Sequence, residues 1–125
     1  MTGFDVSEQG LAIATEKAKR LGLSLNLVRS ANHEFDWGTD RWDMIVITYS
    51  PHVGPIERAL KPGGVLVMET FLSEAVPKPP TSIGPNDALT MFPSLRVLRY
   101  EDTMAKADWG GTQQRIVRLV AEKPQ

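Results

Sequence analysis

The chain has 125 residues, a formal net charge of -1 and no cysteine, with 42% hydrophobic and 23% charged residues. The length and balance predict a single globular domain over residues 1–125. The lack of cysteine excludes disulfides, thiolate metal sites and cysteine nucleophiles, and the small net charge gives no reason to expect nucleic acid as a partner. No apolar run approaches the roughly 18 residues that cross a bilayer, so we expect no membrane partner and a cytoplasmic location.

The chain opens with a short apolar strand, Gly3 to Val6, followed by a helix. Ser7 is a suitable N-cap for that helix, and Gly22 is a suitable residue just beyond its end. Between them, apolar residues recur at helical spacing, at Leu11, Ala14, Ala18 and Leu21. The segment 7–21 is therefore predicted to be an amphipathic helix.

Three further strands and one short helix are predicted up to residue 71. The strands are Leu23 to Arg29, Trp42 to Tyr49 and Val65 to Phe71, and the helix is Gly54 to Leu60, ended by Lys61-Pro62-Gly63-Gly64. The unbroken apolar run Met44 to Ile47 suits a strand that is buried on both faces. This alternation predicts an α/β fold with a mainly parallel sheet.

The second half has a different pattern. Residues Val76 to Pro85 include four of the nine prolines and are predicted to be a loop, and Asp87 to Phe92 could form a short helix. Leu95 to Tyr100 and Arg115 to Ala121 are predicted strands without a helix between them. Two such strands favour an antiparallel hairpin at one edge of the sheet.

Four stretches suggest a family: "GFDVSEQGLAIATEKAKRLG", "HEFDWGTDRWDMIVITYS", "ALKPGGVLVMETF" and "QRIVRLVAEKP". With the order of elements, they resemble the class I S-adenosylmethionine-dependent methyltransferases, most closely the small bacterial tellurite-resistance type. The resemblance implies a Rossmann-like, mostly parallel sheet in the order 3-2-1-4-5-7-6, with an antiparallel C-terminal hairpin. The predicted strands correspond to family strands two to seven, six in all. The chain would be the C-terminal two-thirds of such a protein, without the first strand and its glycine-rich loop.

The resemblance also implies a cofactor, S-adenosylmethionine. Asp5, followed by Val6, stands where the family acid hydrogen-bonds the ribose hydroxyls. The alternative for Asp5 is an acid that caps the helix beginning near Ser7. Asn32 and His33 follow the next strand, where the family faces the adenine, although Ala31 replaces the usual acid there. The alternative for both residues is a solvated loop.

Tyr49 and His52 follow the strand that corresponds to family strand four. Ligands of open α/β sheets bind beyond the carboxyl ends of the strands, and the resemblance places the methyl acceptor at this position. His52 could act as a general base, since the ordinary pKa of histidine is about 6.5, or it could be a surface histidine in a turn. Glu69 is either a second acid of the pocket or a cap for the loop after its strand. Two distant histidines and no cysteine predict no metal site.

Two functions remain open at this point. The first is a methyltransferase-like protein that transfers a methyl group to an unknown small-molecule acceptor, a reaction in which positioning supplies most of the rate. The second is a non-catalytic remnant of the fold that acts as a ligand-binding or oligomeric interaction module. Without family strand one, two apolar strand edges would lack partners. Because such edges favour association, we expect a homo-oligomer.

Overall fold

The computed structural model describes residues 1–51, 54–107 and 110–125. The chain divides into two compact units, Met1–Asp36 and Trp37–Gln125. In chain order the elements are β1 Thr2–Asp5, α1 Glu8–Arg20, β2 Asn26–Arg29, β3 Trp42–Thr48, α2 Ile56–Ala59, β4 Leu60–Leu72, β5 Ser82–Ile83, β6 Arg96–Ala107 and β7 Gly110–Glu122, with a single 3-10 turn at Asp87–Leu89.

The first unit is a parallel β-α-β arrangement. β1 pairs with β2, so that Asp5 lies opposite Arg29 at the carboxyl end of both strands. The predicted helix is confirmed: Ser7 Oγ accepts a 3.0 Å hydrogen bond from the Gly10 N–H at its start. Gly22, with φ of +67°, follows its end. A side chain at such a φ would be strained, which is why glycine suits this position.

The second unit contains a sheet in the order β3-β4-β7-β6, with β5 beside the end of β4. β3 and β4 are parallel, but β4–β7 and β6–β7, the two longest ladders, are antiparallel. The predicted C-terminal hairpin is confirmed, whereas a mostly parallel sheet is not what the second unit forms. The hairpin accounts for the difference, because it pairs far beyond its predicted ends, up to Ala107 and from Gly110.

Two details of the second unit depart from the sequence prediction. A seventh strand, β5, lies inside the predicted proline-rich loop, where the Ser73 N–H donates to the Ile83 carbonyl at 2.9 Å; six strands were expected. β4 begins at Leu60, so the Lys61-Pro62-Gly63-Gly64 turn is a bulge within the strand, at the register shift between Trp42 and Met44. A two-residue strand and a bulge carry no periodicity from which they could be predicted.

The sheet of the second unit has one buried face and one more open face. The buried face carries alternate residues of its strands, including Ile45, Ile47, Leu66, Met68, Leu119 and Ala121. On the open face, Met44 is 57% and Val46 61% exposed. Glu69 of β4 and Arg118 of β7 are half-buried and lie opposite each other in the register.

In the part of the chain that is described, no helix is long and apolar enough to cross a membrane.

The strand orders match two parts of the expected family order. β2-β1 corresponds to the 3-2 part, and β3-β4-β7-β6 corresponds to the 4-5-7-6 part. Within residues 1–36, β1 pairs only with β2; among the described residues from 37 onward, β3 pairs only with β4.

Candidate functional site

Tyr49 directly follows β3 and is held by three kinds of contact. Its backbone has a φ of 54°, which is uncommon for a residue other than glycine, and its N–H donates to the Glu69 carbonyl at 2.8 Å. Its hydroxyl donates to Glu69 Oε1 at 2.5 Å. Its ring packs at a tilt against Phe71, with 4.5 Å between the centroids. The phenol therefore has a fixed position at the carboxyl ends of β3 and β4.

Glu69 is the acid at the centre of this arrangement. Its Oε2 accepts a 2.6 Å hydrogen bond from Arg118 Nε, and its side chain is only 20% exposed. Burial raises the pKa of the Glu69 carboxyl, but the hydrogen bonds from Tyr49 and Arg118 and the charge of Arg118 together outweigh this and bring the pKa below its ordinary 4.5. Glu69 is therefore ionised at neutral pH. The side-chain partners of Glu69 are Tyr49 and Arg118 rather than the following loop, so it does not cap that loop, and its role as a second acid of the pocket stays a prediction.

The network continues across the sheet from Arg118. Arg118 Nη1 lies 3.6 Å from Glu101 Oε2 on β6, and Glu101 forms a second ion pair with Arg99. Arg99 and then Arg118 lower the pKa of the Glu101 carboxyl. Arg118 was not among the predicted site residues, although the sequence contains a signal for it: Arg118 is the one charge in the apolar run Ile116 to Val120. A charge in such a run needs a partner when it is buried.

Asp5, the predicted ribose acid, lies exposed at the end of β1. Its Oδ1 accepts a 2.9 Å hydrogen bond from the N–H of the N-cap residue Ser7, which is the contact of an Asx turn just before the helix. Within residues 1–36 its other oxygen, Oδ2, accepts no hydrogen bond. Val6 is exposed, and its carbonyl accepts a 3.4 Å hydrogen bond from Arg29 Nε. Asp5 thus combines a structural contact with an oxygen that is accessible to a ligand.

Asn32 and His33 lie in the turn after β2, where the Phe35 N–H donates to the Ala31 carbonyl at 3.0 Å. The Phe35 ring stacks on Phe4 of β1 at 4.1 Å between centroids, which ties the turn to the strand of Asp5. Asn32 is half-buried, whereas His33 is exposed with Nε2 3.7 Å from Glu34 Oε1.

The predicted site residues fall into two groups. Asp5, Val6, Asn32 and His33 lie at the carboxyl ends of β1 and β2 in the first unit, and Tyr49 lies at the end of β3 in the second unit. The predicted base His52 lies outside the described residues. Among the residues that are described, no group of three His, Cys, Asp or Glu side chains could hold a metal ion.

Solved structures similar to this chain show which fold the two strand arrangements belong to. The N-methyltransferase NodS from Bradyrhizobium japonicum WM9, in complex with S-adenosyl-L-homocysteine, matches with a TM-score of 0.72 and 17% identity over 99% of this chain and 66% of NodS. The chain has the fold of the S-adenosylmethionine-dependent methyltransferases. TehB from Haemophilus influenzae also matches, with a TM-score of 0.72 and 16% identity over 98% of this chain.

The methyltransferase fold is not limited to methyl transfer among these neighbours. The cyclase SpnF matches with a TM-score of 0.75 and 17% identity over 98% of this chain, so the fold alone does not decide the reaction. The chain spans 49% of the TehB structure and 65% of the SpnF structure. No protein-family model and no curated protein matches the sequence.

Proposed function

We propose that this protein binds S-adenosylmethionine at Asp5 and transfers its methyl group to an unknown small-molecule acceptor. The observation that carries the proposal is the placement of Asp5, an exposed acid at the carboxyl end of a parallel strand in a chain with the methyltransferase fold. We further propose that it is of the tellurite-resistance type of this family and that it is located in the cytoplasm. Names such as N-methyltransferase among the neighbours favour methyl transfer over a non-catalytic remnant.

The residues of the first unit fit the nucleoside part of this cofactor. A ribose diol needs oxygen acceptors, and Asp5 offers Oδ2, which accepts no bond within residues 1–36, beside the N-terminal end of α1. Asn32 carries an amide in the turn after β2, and an amide can pair with the edge of an adenine. Val6 supplies an exposed apolar side chain next to Asp5. When bound, the cofactor would supply a methyl group on a positively charged sulfur.

Methyl transfer requires that the acceptor is held in a fixed position. Alignment of reacting groups can provide most of the acceleration in such a displacement. Tyr49, fixed by Glu69 and Phe71, is the residue that we assign to contact the acceptor. His52 stays the predicted base.

A homo-oligomer is part of the same proposal. Among the described residues from 37 onward, β3 pairs with β4 alone, and the exposed Met44 and Val46 lie on this strand. β6, the opposite edge strand of the sheet, instead carries charges that discourage pairing, at Arg96, Arg99, Glu101, Asp102 and Lys106. We therefore assign β3 as the contact between copies.

Calorimetric titration with S-adenosylhomocysteine tests the cofactor proposal. We expect binding by the wild-type chain and at least a roughly tenfold loss in Asp5→Ala, the scale of one charge-assisted hydrogen bond. Ser7→Ala is the matched control, because it removes a cap of the same helix while leaving the Asp5 carboxylate in place. No binding by the wild type, or equal loss in both variants, would count against a cofactor site at Asp5.

A further inference from the structure

The hydrogen bond between Tyr49 and Glu69 has a fixed direction. A phenol has one proton to donate and can also accept, whereas an ionised carboxylate can only accept. With 2.5 Å between the Tyr49 hydroxyl oxygen and Glu69 Oε1, the shared proton is that of the phenol. Tyr49 is therefore the donor and Glu69 the acceptor.

Glu69 is held in its ionised state, so this direction persists through the neutral range. Arg118 Nε donates to Oε2 at 2.6 Å, and Arg118 is itself held by Glu101 on the neighbouring strand. The side chain of Glu69 is mostly covered, and its pKa lies below the ordinary value. The carboxylate would lose its role as acceptor only in acid.

Because Tyr49 donates its only hydroxyl proton to Glu69, its phenol oxygen can only accept a hydrogen bond from a ligand. The left-handed backbone at Tyr49 and the packing of its ring on Phe71 also hold the oxygen in place. We propose that Glu69 is a positioning residue that makes Tyr49 a hydrogen-bond acceptor toward the methyl acceptor, which is therefore an N–H or O–H donor: an amine or an alcohol. This inference rests on the function proposed above. A carboxylate or thioether substrate would face oxygen lone pairs and gain no hydrogen bond.

A purely structural role for Glu69 makes a different prediction. In that case the Glu69–Arg118 pair would only join β4 to β7, as the Arg96–Glu122 pair joins β6 to β7 with an N–O distance of 3.1 Å. Both pairs link residues that are opposite each other in the register. Glu122→Gln is thus a matched control for Glu69→Gln, since no tyrosine is bonded to Glu122.

The experiment uses the full chain carrying Tyr100→Phe, which leaves Tyr49 as its only tyrosine. The tyrosine is isotope-labelled at ring carbon Cζ and observed by NMR. We expect Glu69→Gln to shift the Tyr49 resonance and Glu122→Gln to leave it in place. Titration then uses butylammonium and butyltrimethylammonium, which carry the same charge but differ in having N–H donors. We expect the Tyr49 resonance to report about tenfold tighter binding of butylammonium, a preference that Glu69→Gln abolishes and Glu122→Gln retains.

Each other result counts against the inference. Equal binding of the two ammonium ions, binding of neither, or an unchanged Tyr49 resonance in Glu69→Gln would overturn it. Calorimetry with S-adenosylhomocysteine on the same sample separates it from the proposed function. Cofactor binding without donor preference rejects the role of Glu69 alone. Tighter binding of butylammonium without cofactor binding supports Tyr49 as a hydrogen-bond acceptor and rejects methyl transfer.

Discussion

Tyr49 and Glu69 are 20 residues apart in the sequence, yet the Tyr49 hydroxyl donates to the Glu69 carboxylate at 2.5 Å. The parallel register explains their meeting, because Thr48 lies opposite Glu69 and Tyr49 is the next residue. Arg118 lies opposite Glu69 on its other side, on the antiparallel strand β7. The candidate acceptor site is therefore built on the ladder hydrogen bonds of three strands, so its geometry and the stability of the second unit are linked.

Glu69→Gln is expected to weaken the fold in a pH-dependent way. The pKa of Glu69 is lower in the folded chain than its ordinary 4.5, so the ionised group stabilises the fold above about pH 4.5 and this contribution disappears as the pH falls through the folded pKa. We expect a loss of about 1 kcal/mol near neutral pH, a modest value because Arg118 is partly exposed and its charge is screened. Urea unfolding of both proteins across the acid range measures this. A difference that stays constant down to about pH 3 would contradict the linkage.

Tyr49→Phe is expected to cost about 1 kcal/mol of unfolding free energy. The substitution keeps the ring against Phe71 but removes the hydroxyl, so that Glu69 Oε1 loses its protein donor. Tyr100→Phe is the control and is expected to stay within about 0.5 kcal/mol of the wild type. Urea unfolding at neutral pH compares the two, and equal effects would mean that the Tyr49 hydroxyl adds nothing to stability.

The fold was predictable from the sequence where side chains carry a strong pattern. The helix α1 follows from apolar residues at helical spacing and from the Ser7 cap, and β3 follows from its continuous apolar run. The extension of β6 and β7 was not predictable, since polar residues such as Asp102 and Arg115 pair across the hairpin by an exposed 2.8 Å ion pair. Backbone pairing in this part of the hairpin needs no buried side chain, so the sequence shows no alternation of apolar and polar residues that would predict it.

The candidate site was predictable only in part, for a related reason. Tyr49 could be placed because it directly follows a strand, and ligand sites lie at strand ends. The left-handed φ of Tyr49 and its hydrogen bond to Glu69 could not be predicted, because they depend on which residues the strand register brings together. Arg118 was detectable in principle as a charge among apolar neighbours, although its partner was not.

Gly64→Ala is expected to destabilise the second unit by about 1–3 kcal/mol. A Cβ at Gly64 would lie 2.8 Å from the Lys61 carbonyl oxygen and 3.0 Å from that of Trp42, and both are backbone atoms that cannot turn away. Gly10→Ala is the contrasting variant: its Cβ would make ordinary contacts, and alanine in a helix is favoured by about 0.8–1 kcal/mol over glycine. Urea unfolding is expected to move in opposite directions for the two. A neutral Gly64→Ala would show that the bulge in β4 can relax.

Val46→Lys tests the contact between copies that we assign to β3. Val46 is 61% exposed and lies next to Met44 on the open face, so a lysine there keeps the strand solvated without disturbing the buried Ile45 and Ile47. Light scattering after gel filtration is expected to give a multiple of 13.8 kDa for the wild type and a shift toward the single-chain mass in the variant. Leu98→Lys, at an exposed position of the charged strand β6, is the control that should leave the mass unchanged. A wild-type chain that elutes at 13.8 kDa at every concentration would remove the case for a homo-oligomer.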